Sequence, residues 1–224
     1  MSTFAESLDE LGYALVPGLV APADCTALAA AWSEAAVWRK RVVMQQHGFG
    51  RGEYRYFAYP LPPLVARLRR ELYGELAPVA NRWAEELRAP AEFPDSLEAY
   101  LSKCHAAGQT KPTPLVLRYE AGDYNCLHQD LYGAHVFPLQ ATVLLSEPGR
   151  DFTGGEFLLV EQRPRAQSRG SAVPLARGDA VVFPVRERPR RGTRGFHRVK
   201  LRHGVSTVRS GLRYTLGLIF HDAG

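Results

Sequence analysis

Residues 196–220 read FHRVKLRHGVSTVRSGLRYTLGLIF, and their alternation decides the fold class. His197, Val199, Leu201 and His203 occupy the odd positions of the first half, and Arg198, Lys200 and Arg202 the even ones. Side chains two apart share a face of a β-strand, so this half is a strand with one interior and one solvated face. The RSG at 209–211 predicts a turn, and a second, more apolar strand begins at Arg213. As a hairpin, the two strands would return Arg213 to the level of His203.

Working outward, PLVLRY (114–119), ATVLLSE (141–147), GEFLLVEQ (155–162) and DAVVFPV (179–185) are short β-rich runs bounded by turn residues. Six or more strands within about 110 residues predict a sandwich or barrel. Before residue 110 the pattern is mainly helical. Residues 22–38 open with Pro22 and a capping Asp24 and carry Ala, Leu and Trp at helical spacing. Residues 61–88 read as two helices broken around Pro78, and 95–108 as a helix from a cap at Asp95 to a stop at Gly108. The Gly- and Tyr-rich stretch 45–60 reads as a loop or short hairpin. The expectation is one α+β domain over 1–224. Residues 1–110 form a mainly helical support, packed on a β-core over 111–224.

Composition excludes several classes. With 224 residues, 46% hydrophobic and 23% charged, the chain can fold as a soluble globule without disulfide or metal staples. Its three cysteines, Cys25, Cys104 and Cys126, are scattered and odd in number, which fits a reducing compartment and no cysteine-based zinc site. The N-terminal stretch carries acids early and no basic region before an apolar run, so it is not a secretory signal. No apolar run reaches the ~18 residues of a membrane span. The expected location is cytoplasmic with no membrane partner, and nothing in the pattern specifies an oligomeric state. The net charge of +5 is concentrated: residues 186–202 hold seven Arg, one Lys and one Glu. That segment is either a solvated strand and loop or an anion-attracting rim.

The chemistry starts at His128 and Asp130 in RYEAGDYNCLHQDLYG (118–133). At i and i+2 of a strand they point the same way, as two ligands of one ion must. A second His from another strand would complete the two-His, one-carboxylate set that holds one face of a non-haem Fe(II). His135 shares the loop after Asp130, and His221 lies near the end of the sequence. His197 and His203 are six residues apart, about 20 Å along a strand, so only one can join the site. His203 is chosen because Arg213 follows at hairpin distance, where it can grip one end of a dicarboxylic acid whose other end chelates the metal. His197 is expected in the core or at the sandwich mouth.

In these residues the chain resembles the Fe(II)/2-oxoglutarate-dependent oxygenases: H-x-D at 128–130, a second His 75 residues later, and an Arg ten further on. FTGGEFLLVE (152–161) is similar to the Gly-Gly-Glu turn of the prolyl-hydroxylase branch, and LARGDAVVF (175–183) to the strand before the distal His. The segment LRYEAGDYNCLHQD is similar to both the hydroxylase and alkylation-repair branches. The nearest group is a bacterial one labelled as acting on damaged DNA. The resemblance covers 113–223 and implies a double-stranded β-helix, or jelly roll, carrying an N-terminal helical layer. It implies His128, Asp130 and His203 as catalytic iron ligands, and Arg213, Tyr119 and Thr215 as contacts to 2-oxoglutarate. It further implies O2 as cosubstrate and ascorbate as accessory reductant. Asp130 stands where the halogenase branch has Gly or Ala, which implies hydroxylation of an unactivated C–H with release of succinate and CO2.

Substrate contacts are expected from Tyr124, Asn125 and Tyr132 beside the metal motif. Arg191 and Arg194, with Arg186, Arg188 and Arg190, are expected at the mouth if the connection before His203 reaches it. That leans towards an anionic, nucleotide-like small molecule. The alternative is oxidative demethylation of alkylated nucleic acid, although Thr215 and Ile219 stand where the repair demethylases carry Asn and a second Arg. A catalytically inactive metal-binding jelly-roll module is the non-enzyme alternative.

Overall fold

The structure is a computed structural model that describes residues 4–90, 92–131 and 133–224. The helices are α1 (Phe4–Leu11), α2 (Pro22–Ala30), α3 (Pro63–Glu86) and α4 (Leu97–Ala106). In the N-terminal half the strands are β1 (Ala14–Val16), β2 (Trp38–Val43), β3 (Gly50–Arg51) and β4 (Glu53–Phe57). Then come β5 (Leu115–Glu120), β6 (Tyr124–His128), β7 (Leu139–Leu144), β8 (Phe152–Gly154) and β9 (Phe157–Gln162). The chain finishes with β10 (Arg169–Val173), β11 (Ala180–Pro184), β12 (Glu187–Gly192), β13 (Gly195–Val205) and β14 (Val208–Ile219).

These strands build two antiparallel sheets. The major sheet runs β1-β11-β7-β14-β5-β4-β2 with β8 on β14, and the minor sheet runs β10-β9-β13-β6-β3 with β12 on β13. From β5 to β7 and from β9 to β14 through β11 and β13, the chain alternates between the sheets. That winding is the double-stranded β-helix. It also corrects the hairpin expectation, because β13 and β14 lie in different sheets. The chain crosses over at Ser206–Thr207, so His203 and Arg213 reach the interior from different sheets.

Period-two alternation divides the major sheet's faces. Leu216, Leu218 and Phe220 join Val116, Val143 and Val182 in the large core beneath the helices, while Arg213, Thr215, Gly217 and Ile219 line the cavity between the sheets. Helix α3 fits its side of that core because Leu68, Leu72, Leu76 and Trp83 recur on one buried face. Burying such side chains contributes roughly 1.5–3 kcal/mol each.

Several local expectations are corrected. Residues 63–86 form one helix through Pro78. Pro78 and Gly74, four residues before it, are both exposed, so the carbonyl freed by the missing N–H faces water. The cap of α4 is Ser96, whose Oγ accepts from Ala99 N at 3.3 Å, instead of Asp95. Helix α2 has no side-chain cap and ends at Ala30, and Trp38 already belongs to β2. The N-terminal part is not only a helical support: β1, β2, β3 and β4 extend both sheets.

A buried polar network ties α3 to the end of β14. Arg69 Nη2 meets Asp222 Oδ1 at 2.8 Å with both side chains buried, and Arg69 Nε donates to the Ile219 carbonyl at 2.9 Å. Tyr59 Oη donates to Asp222 Oδ2, and His105 Nε2 lies 2.8 Å from the same oxygen. Among the described residues no helix is long and apolar enough to cross a membrane.

Candidate active site

His128 and His203 are direct partners across β6 and β13, with ring centroids 4.2 Å apart. Asp130 lies just past the end of β6, its Oδ1 3.5 Å from His128 Nε2 and its Oδ2 3.2 Å from His203 Nε2. One ligand atom from each of the three lies within 4.8 Å of the others. His128 Nδ1 donates to the Cys126 carbonyl at 2.7 Å, which leaves Nε2 as the basic nitrogen turned towards Asp130. His203 is buried and its Nδ1 has no hydrogen-bond partner among the described residues. Burial opposes the charge of Asp130, but hydrogen bonds and charge from the two imidazoles hold its carboxyl well below the usual range. Burial pushes the His203 pKa down, which favours the neutral, ligating imidazole. Two neutral-capable imidazoles and one carboxylate are the donor set that suits a first-row ion such as Fe(II).

Across the cavity, Arg213 on β14 is 1% exposed. Its guanidinium carbon sits 5.6 Å from the Tyr119 ring centroid and 5.7 Å from that of Phe152, and Nη1 is 3.5 Å from Thr215 Oγ1. Among the described residues its buried Nε has no hydrogen-bond partner. Among the described residues no carboxylate forms a salt bridge with it. Burial pushes its pKa down to about 10. A buried, unpaired cation is costly, so this position calls for an anion. The Gly-Gly-Glu turn explains part of the fit. Gly155 has φ +63°, and a Cβ there would meet Arg213 Cδ at 2.8 Å, so only glycine lets the turn close over the guanidinium.

Both groups open onto one cavity of about 220 Å³. Tyr119, Asn125 and Thr215 line it as well, and Asn125 Nδ2 donates to Tyr119 Oη at 3.3 Å. Burial pushes the Tyr119 hydroxyl up to about 12.

The other expected residues fall elsewhere. Tyr124 is exposed and does not line the cavity, and Tyr132 lies outside the described residues. Arg191 and Arg194 sit on the exposed end of the β12–β13 arm and do not line it either. Arg188 and Arg190 are held by Glu161 at 2.5 and 2.9 Å. His197, expected in the core or at the sandwich mouth, is exposed on that arm opposite Arg190. The alternation at Val199, Leu201 and His203 holds, and the arm simply outruns the core.

Four lining residues come from the region expected to be support: Met44, Phe49, Tyr54 and Tyr56. The Tyr-Arg-Tyr alternation of 54–56 is the signal that marks a strand with an aromatic face. Gln140 and Thr142, on β7, carry no comparable signal.

Residues 52–223 match the sequence model of the Oxygenase-NA family, described as "Oxygenase, catalysing oxidative methylation of damaged DNA". The chain belongs to this family. Two relatives from Mycobacterium tuberculosis resemble this Oxygenase-NA chain at 52% identity over 193 residues. They are "Uncharacterized protein MT2286" of strain CDC 1551 / Oshkosh and "Uncharacterized protein Rv2227" of strain ATCC 25618 / H37Rv, and the match covers 84% of this chain and 83% of each. Among solved structures, a Pseudomonas putida prolyl-4-hydroxylase aligns with TM-score 0.57 and 13% identity, over 96% of this chain and 94% of that one. A Burkholderia pseudomallei oxidoreductase of the 2OG-Fe(II) oxygenase family aligns with TM-score 0.54 and 19% identity, over 99% and 91%. This Oxygenase-NA member therefore shares the jelly-roll fold of those oxygenases.

Proposed function

We propose that this protein is a non-haem Fe(II)/2-oxoglutarate-dependent dioxygenase that hydroxylates an unactivated C–H of an organic substrate, releasing succinate and CO2. The observation that carries the reading is the buried guanidinium of Arg213, which has no salt-bridge partner among the described residues and faces the same cavity as the His128, Asp130 and His203 cluster. In this reading those three residues hold Fe(II). Arg213 receives the distal carboxylate of 2-oxoglutarate through a charge-assisted pair, with Thr215 and Tyr119 beside it. Bound together, Fe(II) and 2-oxoglutarate supply the reduction of O2, one oxygen atom going to succinate and the other to the substrate C–H.

The protein's own contribution is positioning and desolvation. Asp130 supplies a fixed negative charge, and its contacts with both His side chains orient the rings towards one point. The Cys126 carbonyl sets the His128 tautomer. Phe157 and Phe183, with ring centroids 6.2 and 4.7 Å from His203, shield that side from water. The 224 residues act as a single domain in this reading, since the N-terminal strands extend both sheets and Arg69 locks α3 to Asp222.

The family description supports a second reading, oxidative demethylation of alkylated nucleic acid. One assay separates them: succinate formed from 2-oxoglutarate with Fe(II), ascorbate and air, alone and with nucleotides, single-stranded DNA or peptides. Stimulation by alkylated DNA with release of formaldehyde selects demethylation. Stimulation by a small molecule with a hydroxylated product selects the first reading. No succinate under any condition overturns both and leaves an inert metal-binding module.

A further inference from the structure

The cavity has two ends, and strand register separates them. Along β14 its floor runs through Arg213, Thr215, Gly217 and Ile219, and the six residue steps from first to last span about 20 Å. Tyr119 partners Arg213 at one end. At the other, Gln140 partners Ile219 and Leu115 partners Gly217. Arg213, which binds the cosubstrate in the proposed function, leaves the Ile219 end free for something else.

The charge inventory of that end is informative. The charged and imidazole side chains lining the cavity are Arg213, Asp130, His128 and His203. Once cosubstrate and metal are assigned to them, the lining that remains is uncharged. Around Ile219 it comprises Tyr54, Tyr56, Leu115, Gln140 and Thr142. Tyr54 and Tyr56 stand edge-to-face with centroids 5.4 Å apart, and burial pushes the Tyr54 hydroxyl up, which keeps it neutral. Arg39 lies 4.4 Å from the Tyr56 ring centroid, but it donates to the Pro112 carbonyl and does not line the cavity. An ionised group entering here would lose its hydration without a counter-charge from the lining at this end.

One polar side chain at this end is unsatisfied. Gln140 is 3% exposed and its Nε2 has no hydrogen-bond partner among the described residues. Thr142, by contrast, donates to the Leu216 carbonyl at 3.3 Å. A buried amide N–H without an acceptor is the kind of deficit that a ligand can remove.

We infer that the Ile219 end is the substrate lobe, and that it takes an uncharged, flat or apolar group whose hydrogen-bond acceptor meets Gln140 Nε2. This rests on the oxygenase reading, which assigns the Arg213 end to 2-oxoglutarate. It revises the anionic lean drawn from the basic segment. Any charge on the substrate stays outside the lobe.

The test uses a matched set of probes of similar size: benzamide, benzoate and toluene. Each is titrated into Zn(II)-loaded, 2-oxoglutarate-saturated protein, with the Gln140 side-chain NH2 resonances observed by 1H–15N NMR. Benzamide should shift those resonances and bind at least tenfold more tightly than benzoate. Gln140→Leu and the isosteric Gln140→Glu should each weaken benzamide by fivefold or more, and Gln140→Leu should leave toluene unchanged. Benzoate binding as well as benzamide, shifts confined to other residues, or no binding by any probe would each overturn the assignment. Binding of 2-oxoglutarate is read in the same samples from the resonances around Thr215. Its failure rejects the cosubstrate reading; its success with failed probes rejects only the lobe.

Discussion

His203 and His128 face each other directly across β13 and β6, 75 residues apart in the chain and 4.2 Å apart between ring centroids. Strand pairing thus presents two imidazoles to one point, and Asp130 closes the set from just beyond the strand. His203→Ala should abolish tight binding of Co(II), a coloured probe for the Fe(II) site, while the far-UV circular dichroism stays native. His197→Ala should retain full Co(II) absorption, since that ring is exposed on the β12–β13 arm. The reverse pattern would assign the site to the wrong histidine.

Arg213 sits in the interior without a salt bridge among the described residues, so its removal should affect ligand binding and stability differently. Arg213→Ala should weaken 2-oxoglutarate by roughly 2–5 kcal/mol, the usual cost of breaking a buried charge pair. The thermal midpoint of the ligand-free protein should not fall, because the substitution removes an uncompensated buried charge. Calorimetric titration and a melting curve on the same preparation read both effects. Unchanged 2-oxoglutarate affinity would sink the clamp.

Asp222 should behave in the opposite way. Asp222→Ala strands the Arg69 guanidinium, 1% exposed, and should cost about 3–5 kcal/mol in urea unfolding. Replacing both partners by apolar residues, Arg69→Met with Asp222→Leu, should recover a large part of that loss. Equal destabilisation by the single and double changes would show that the network's hydrogen bonds, not the charge pair, dominate.

His221 should make stability depend on pH. Burial, and then the charge of Arg69, push its pKa down to about 4 from an ordinary 6.5. Between those values the unfolded chain binds the proton and the folded one does not, so stability rises with pH. This contribution is complete above pH 6.5 and is lost as the pH falls towards 4, by up to ~3 kcal/mol. His221→Asn preserves an acceptor for the Phe137 N–H, which now meets Nδ1 at 3.3 Å, and should flatten the slope of stability between pH 4 and 6.5. An unchanged slope would assign that dependence to other groups.

The cluster of His128, Asp130 and His203 and the buried Arg213 were legible as candidates because a metal and a dicarboxylate need particular residue types at particular spacings. The proposed substrate lobe was not. Gln140 and Thr142 belong to an ordinary apolar strand, and only the neighbours that pairing gives them, Ile219 and Gly217, turn them into a cavity wall. The basic segment misled for a related reason. Its charges are real, but the arm carries Arg191 and Arg194 outward, and Glu161 holds Arg188 and Arg190.

By itself the sequence determined the β-rich core, the alternation of interior and exterior faces, and a short set of candidate residues for holding a metal and a dicarboxylate. These follow from local periodicity and side-chain chemistry, both of which are properties of neighbours in the chain. Only the tertiary structure decided that β13 and β14 belong to opposite sheets, that residues 38–57 form part of the cavity, and that its far end is uncharged. Those depend on which strands pair over long sequence separations, a choice made by burial of the whole core.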